Sequence, residues 1–137
     1  MQAIARARFQ RMSARKVRRV SELIKKSDVE KALNILSYTP KAAASLLEDT
    51  LKSAVANALN IEGTSKLKAE DLCIKDIIVD SGPIMKRIRP ASMGRAYRIR
   101  KRTCHLTVIV EEKPKLERSK MEKELKPKKK PRKAKEV

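Results

Sequence analysis

The sequence predicts a mixed body of helices and β-strands that carries a long basic β-hairpin arm and ends in a disordered basic tail. Three observations lead there. Three stretches in the first half repeat apolar residues at helical spacing. Three other runs are alternating or β-branched and read as strands. Residues 82–102 hold eight Lys and Arg and no acid.

Residues 2–9, QAIARARF, alternate small apolar residues with Arg, the period of a short strand. Ser13 stands where a helix over 14–26 needs a cap, and Val17, Val20, Leu23 and Ile24 form its apolar stripe. Arg15, Lys16, Arg18 and Arg19 lie largely off that stripe, so the helix presents a basic outside. Ser27-Asp28-Val29-Glu30 reads as a capping box, followed by Val29, Ala32, Leu33 and Leu36 at helical spacing. Thr39-Pro40 opens a third helix over about 40–61, with Pro40 in the first turn, where its missing N–H costs nothing. Ala43, Leu47, Leu51, Ala54 and Ala58 line one face of it, and Gly63 supplies the stop. The small residues predict close packing.

After a polar link, Cys73–Val79 is β-branched and reads as a strand, broken by Ser81-Gly82-Pro83. Thr103–Val110 reads as another, with Cys104, Leu106, Val108 and Val110 on one face and His105, Thr107 and Ile109 on the other. Both limbs between them alternate. Met85, Arg87 and Arg89 oppose Ile84, Lys86 and Ile88; Arg98, Arg100 and Arg102 oppose Tyr97, Ile99 and Lys101. Pro90-Ala91-Ser92-Met93-Gly94 has the residues of a hairpin tip. Ten residues per limb would project roughly 33 Å. Such a ribbon is too polar to hold itself together in water, so it is expected to be ordered by an anionic partner around it.

The 137 residues suit one domain, taken as 1–112 with the arm 82–102, plus an extension at 113–137. Formal charge is +19, from 35 basic and 16 acidic residues. It is concentrated in residues 1–26, 82–102 and 113–137, each of net charge +8, around a body of net charge −5. Three separated basic runs point to contact with nucleic acid that releases counterions. Aromatic residues are only 2%, which argues against readers that stack successive bases on aromatic platforms. No run approaches a membrane span of roughly 20 apolar residues, and the N-terminus lacks the apolar stretch of a secretory signal. Cys73 and Cys104 fit a reducing compartment. The lysines and prolines of KPKKKPRKAKEV read as a tail that coats phosphates, although KKKPRK also matches a nuclear-targeting composition.

Catalytic chemistry is missing. His105 is the only histidine, and strand neighbours such as Cys104 and His105 point to opposite faces, which precludes a nucleophile–base pair. Two cysteines and one histidine match no zinc spacing. There is no glycine-rich phosphate loop, and the paired acids are sequential neighbours. The sequence therefore predicts no enzyme, no cofactor and no metal site.

The stretch KRIRPASMGRAYRIRKRTCHLTVIVEE at 86–112 resembles the bacterial-type large-subunit ribosomal protein family L twenty-two, the exit-tunnel hairpin protein. SARKVRRV at 13–20, LSYTPKAAASLLEDTLKSAVANA at 36–58 and IVDSGPIMKR at 78–87 add to the likeness, which spans about residues 2–113. Two positions depart from the family pattern: Ala91 where a basic residue usually follows the proline, and Cys104 in place of a common serine.

The resemblance implies an α+β fold, three helices packed on a small antiparallel sheet with the hairpin extended from it. It implies a cytoplasmic, monomeric constituent of the large ribosomal subunit. Its partners would be large-subunit (23S-type) rRNA, neighbouring ribosomal proteins and the nascent polypeptide. Residues 89–95 (Arg89, Pro90, Ala91, Ser92, Met93, Gly94 and Arg95) would line the exit tunnel. The rRNA-binding residues expected are Arg11, Arg15, Lys16, Arg18 and Arg19 on the body, with Lys86, Arg87, Arg89, Arg95, Arg98, Arg100, Lys101 and Arg102 on the arm. The alternative is an architectural DNA-binding dimer whose basic arms clasp the duplex, with Pro90 or Met93 wedged between base steps.

Overall fold

The computed structural model describes residues 2–61 and 69–113. The stop expected at Gly63 and the tail from Pro114 onward lie outside the described residues. Strand β1 (Gln2–Gln10) is followed by helices α1 (Ala14–Ile24), α2 (Val29–Tyr38) and α3 (Ala42–Asn60), a short 3-10 turn (Ala69–Asp71), and strands β2 (Leu72–Pro90) and β3 (Ala96–Glu112). The strands form one antiparallel sheet in the order β1-β3-β2. The helices pack on it, giving the expected α+β arrangement.

The core follows the two periods of the sequence. Strand β3 is central and buries Cys104, Leu106, Val108 and Val110, while Ala3 and Ala5 of β1 and Leu72, Ile74, Ile77 and Val79 of β2 flank them. Helix α3 buries Ala43, Leu47, Leu51, Ala54 and Ala58, as its stripe predicts, and lies against β1. Alanines on both sides of that contact allow the helix to approach the strand closely. Leu23 is the exception on α1: Val17, Val20 and Ile24 are buried, but Leu23 is exposed.

Helix ends differ from the sequence reading in instructive ways. Helix α1 ends at Ile24 because Lys26 adopts a left-handed φ of 60° and Ser27 N donates to Ile24 O. Ser13 sits at the N-cap of α1, but its hydroxyl makes no cap bond. The capping box at 27–30 does not form. Ser27 Oγ donates to Ile24 O at 2.7 Å, which commits it to the preceding helix, and Asp28 becomes the N-cap without a side-chain cap bond. The Asp28 carboxylate is drawn instead to Lys31 and Lys113, both at 3.0 Å. Pro40 precedes α3 rather than entering it. Lys41 N donates to Thr39 O at 2.7 Å, a tight turn around Pro40, and the helix begins at Ala42.

The break expected at Ser81-Gly82-Pro83 is a bulge inside one continuous strand. The β2–β3 register shifts between Ser81 and Ile84 and then resumes from Ile84↔Arg102 to Pro90↔Ala96. The arm therefore grows out of the body sheet and continues its pairing. It has seven paired residues per limb, about 23 Å at a strand's rise. The bulge and the turn take up the rest of the length expected from sequence.

Candidate nucleic-acid interface

Register decides how the arm's charges are displayed. Directly paired residues of an antiparallel ladder share a face. Lys86↔Arg100, Ile88↔Arg98 and Ile84↔Arg102 thus put Lys86, Arg98, Arg100 and Arg102 on one side. Met85↔Lys101, Arg87↔Ile99 and Arg89↔Tyr97 put Arg87, Arg89 and Lys101 on the other. The two limbs reinforce each other, and both broad faces are cationic. Along a limb, Arg98, Arg100 and Arg102 repeat at about 6.6 Å, two strand rises. These side chains and Arg95 are exposed.

At the tip, Ala91 N donates to Arg95 O at 2.9 Å and closes the turn. Met93 and Gly94 take left-handed φ values of 59° and 71°. Gly94 is suited to the second for conformation alone, since a Cβ there would meet nothing within 4 Å. Arg87 folds back on its own strand, with Nη1 donating to Lys86 O at 2.9 Å.

The body cations meet the arm at its root. A cleft of about 1240 Å³ is bounded by α1, the segment before it, the start of α3 and the base of the arm. Arg11, Arg15, Lys16 and Arg19 line it on one side, residues Arg100, Lys101 and Arg102 of the arm root on the other, and Lys41 at the start of α3. Among the described residues no acid lines it; its apolar lining includes Met12, Val20, Leu23 and Met85. Leu23, outside the core, is part of this lining. Lys41 was missed by sequence reasoning, because only the packing of α3 brings an isolated lysine to this wall.

Like charges gathered without counter-charges repel one another, so the arrangement is stabilised when an anion enters. The ion pairs among the described residues all use lysines elsewhere: Lys25–Asp76, Lys31–Asp28, Lys52–Glu48, Lys75–Glu111 and Lys113–Asp28. The arginines of cleft and arm are in none of them. A planar guanidinium suits bidentate contact with phosphate oxygens.

Arg18 has a different occupation. Its Nε donates to Val79 O at 3.0 Å, and its Nη2 donates to the same oxygen. Val79 lies on edge strand β2, so Arg18 caps a carbonyl that would otherwise offer itself to a stray strand. Asn57 does the same on the opposite edge, donating from Nδ2 to Ile4 O at 3.0 Å. Of the five body residues expected to bind, Arg18 alone is absent from the cleft lining.

Cys104 and His105 face opposite ways, as strand alternation requires. Cys104 is buried, and burial pushes its thiol pKa up, away from nucleophile chemistry. The His105 imidazole accepts at Nδ1 from Phe9 N at 3.1 Å.

A model of the family described as "Ribosomal protein L22p/L17e" matches residues 5–111, the body and the arm together. The chain belongs to that family. It is 54% identical over 112 residues to the "Large ribosomal subunit protein uL22" of Maridesulfovibrio salexigens, covering 82% of this chain and 99% of that one. It is 51% identical over 112 residues to the protein of the same name from Desulfitobacterium hafniense strain Y51, covering 82% and 96%. Family membership thus agrees with the resemblance carried by residues 86–112, and covers every cation of the cleft.

Proposed function

We propose that this chain is a structural, non-enzymatic constituent of the large ribosomal subunit, in the cytoplasm, and that it works by binding large-subunit rRNA. Its family and the names of its relatives support the location. The observation that carries the binding mode is the cleft at the root of the arm, which among the described residues is lined by eight cations and no acid. In this reading, RNA backbone enters between α1 and the arm, and Arg11, Arg15, Lys16, Arg19, Lys41, Arg100, Lys101 and Arg102 neutralise its phosphates. Beyond the cleft, the two charged faces of the arm lie between RNA segments of different domains. Folded RNA is read largely by shape and backbone, which suits a cationic arm with few aromatic residues.

Arg89 to Arg95 then reach the nascent-peptide exit tunnel and form part of its wall, with neighbouring ribosomal proteins and the passing polypeptide as further partners. The extension from Pro114 adds phosphate-neutralising charge. The chain acts as a monomer within the subunit.

The test compares binding of the purified chain to deproteinised large-subunit rRNA and to duplex DNA of equal phosphate content at matched salt, with its mass in solution measured alongside. A monomer that prefers the folded rRNA is expected. A dimer that prefers and bends duplex DNA would replace this reading with the clasping-arm alternative.

A further inference from the structure

The chain has three aromatic residues, and all stand at the surface: Phe9 is 63% exposed, Tyr38 88% and Tyr97 58%. Aromatic side chains carry large apolar area and ordinarily build cores. Among the described residues the buried core consists of Ala, Val, Leu, Ile and Cys. The aromatic rings are placed for something other than packing.

Phe9 has the most elaborate setting. The β1–β3 register runs from Ala7↔Leu106 to Gln10↔Cys104, so Arg8 and Phe9 together oppose His105 in a bulge. Phe9 adopts φ 55°, a left-handed conformation that a bulky side chain rarely takes. Its amide donates to His105 Nδ1 at 3.1 Å. Its ring meets the imidazole near-perpendicularly, with centroids 4.6 Å apart and planes at 85°. The imidazole is itself backed by the arm root, where a Cβ on Gly82 would stand 3.2 Å from His105 Nε2. A strained backbone and a fixed imidazole thus hold an apolar ring out in solvent. Arg8 precedes it, and Arg11, two residues on, lines the cationic cleft.

We infer that Phe9 is a stacking platform for one unpaired nucleobase of the bound RNA. The inference rests on the RNA reading above and adds a base contact to its phosphate contacts. A single exposed ring, flanked in sequence by Arg8 and Arg11, fits an unstacked base, because every base offers a π-face to stack upon it. The low aromatic content still argues against a reader of successive bases; one pinned ring serves one base.

The chain contains no Trp, so Phe9→Trp in the full chain provides a single fluorescent reporter at this position. Titration with deproteinised large-subunit rRNA is expected to quench the indole, while long-chain inorganic polyphosphate, which has no bases, binds without quenching. Phe9→Leu, which keeps an apolar side chain, is expected to lose roughly 5- to 100-fold in rRNA affinity. Its salt slope should be unchanged, because no phosphate contact is removed. Binding of rRNA without quenching, or equal quenching by polyphosphate, overturns the stacking role alone, as does wild-type affinity in Phe9→Leu. Failure of the wild-type chain to bind rRNA overturns the RNA reading, and this inference with it.

Discussion

The Thr103 hydroxyl donates to the Pro83 carbonyl oxygen at 2.7 Å across the root of the arm, and Gly82 leaves the room it needs. A Cβ on Gly82 would stand 2.5 Å from Thr103 Oγ1. The bulge that joins body to arm therefore depends on a close approach between residues twenty-one positions apart. Gly82→Ala is expected to displace Thr103, break its bond and lower stability by about 1–3 kcal/mol, read as a lower denaturation midpoint. In Gly82→Ala/Thr103→Ala the closest contact of that Cβ, with Thr103 Oγ1, is gone, so the double variant should lose less than the two single losses added together.

Arg18 and its neighbours on α1 separate folding from binding. Arg18→Gln removes two hydrogen bonds to Val79 O and should cost about 1–2 kcal/mol of stability, with little change in the salt dependence of rRNA binding. Arg15→Gln/Arg19→Gln should do the reverse, since both side chains line the cleft. Thermal melts and salt titrations on the same preparations distinguish the two classes.

Neutralising Arg98, Arg100 and Arg102 together should reduce the slope of log affinity against log salt by about two to three units, if each meets one phosphate. All three are exposed, so the fold should persist. An unchanged slope would take this face of the arm out of the interface.

Lys113 fastens the end of β3. It is only 7% exposed. Its Nζ pairs with Asp28 Oδ1 at 3.0 Å and donates to Glu70 O at 2.6 Å. Burial opposes the ionised Asp28 carboxylate, but hydrogen bonds from Lys31 and Lys113 outweigh it and hold its pKa below the ordinary 3.8. A carboxyl lowered on folding contributes stability that is fully present above its unfolded value and is lost as pH falls through the folded one. Acid should therefore weaken the wild type below about pH 4. Asp28→Asn should show a smaller loss over that window in pH-dependent denaturation. Lys113→Met should lower stability at neutral pH by about 1–3 kcal/mol, because the carboxylate keeps only Lys31.

Sequence periods alone carried much of the fold and part of the site. Alternation placed Cys104, Leu106, Val108 and Val110 on one face, and the stripe of α3 was read correctly from Ala43 to Ala58. The absence of acids from residues 82–102 marked the arm. What escaped depends on contacts between distant residues. The role of Arg18 arises only when α1 crosses the edge of β2, and Lys41 joins the cleft only when α3 docks. Lys113, grouped with the tail by its charge, packs beneath the start of α2. Phe9 looked like the end of a short strand, because a bulge is set by the partner strand and not by local composition. The capping box failed for a related reason: Ser27 and Asp28 each found a stronger partner outside the motif.

The most direct measurement is ultraviolet crosslinking in gently lysed cells, followed by denaturing washes, sequencing of the attached nucleic acid and mapping of the crosslinked peptides. The predicted result is large-subunit rRNA joined to peptides containing Arg11 to Arg19 and Arg100 to Arg102, the two walls of the cleft. Crosslinks scattered over genomic DNA, or rRNA crosslinks that avoid both walls, would contradict the assignment of the cleft as the RNA-binding site.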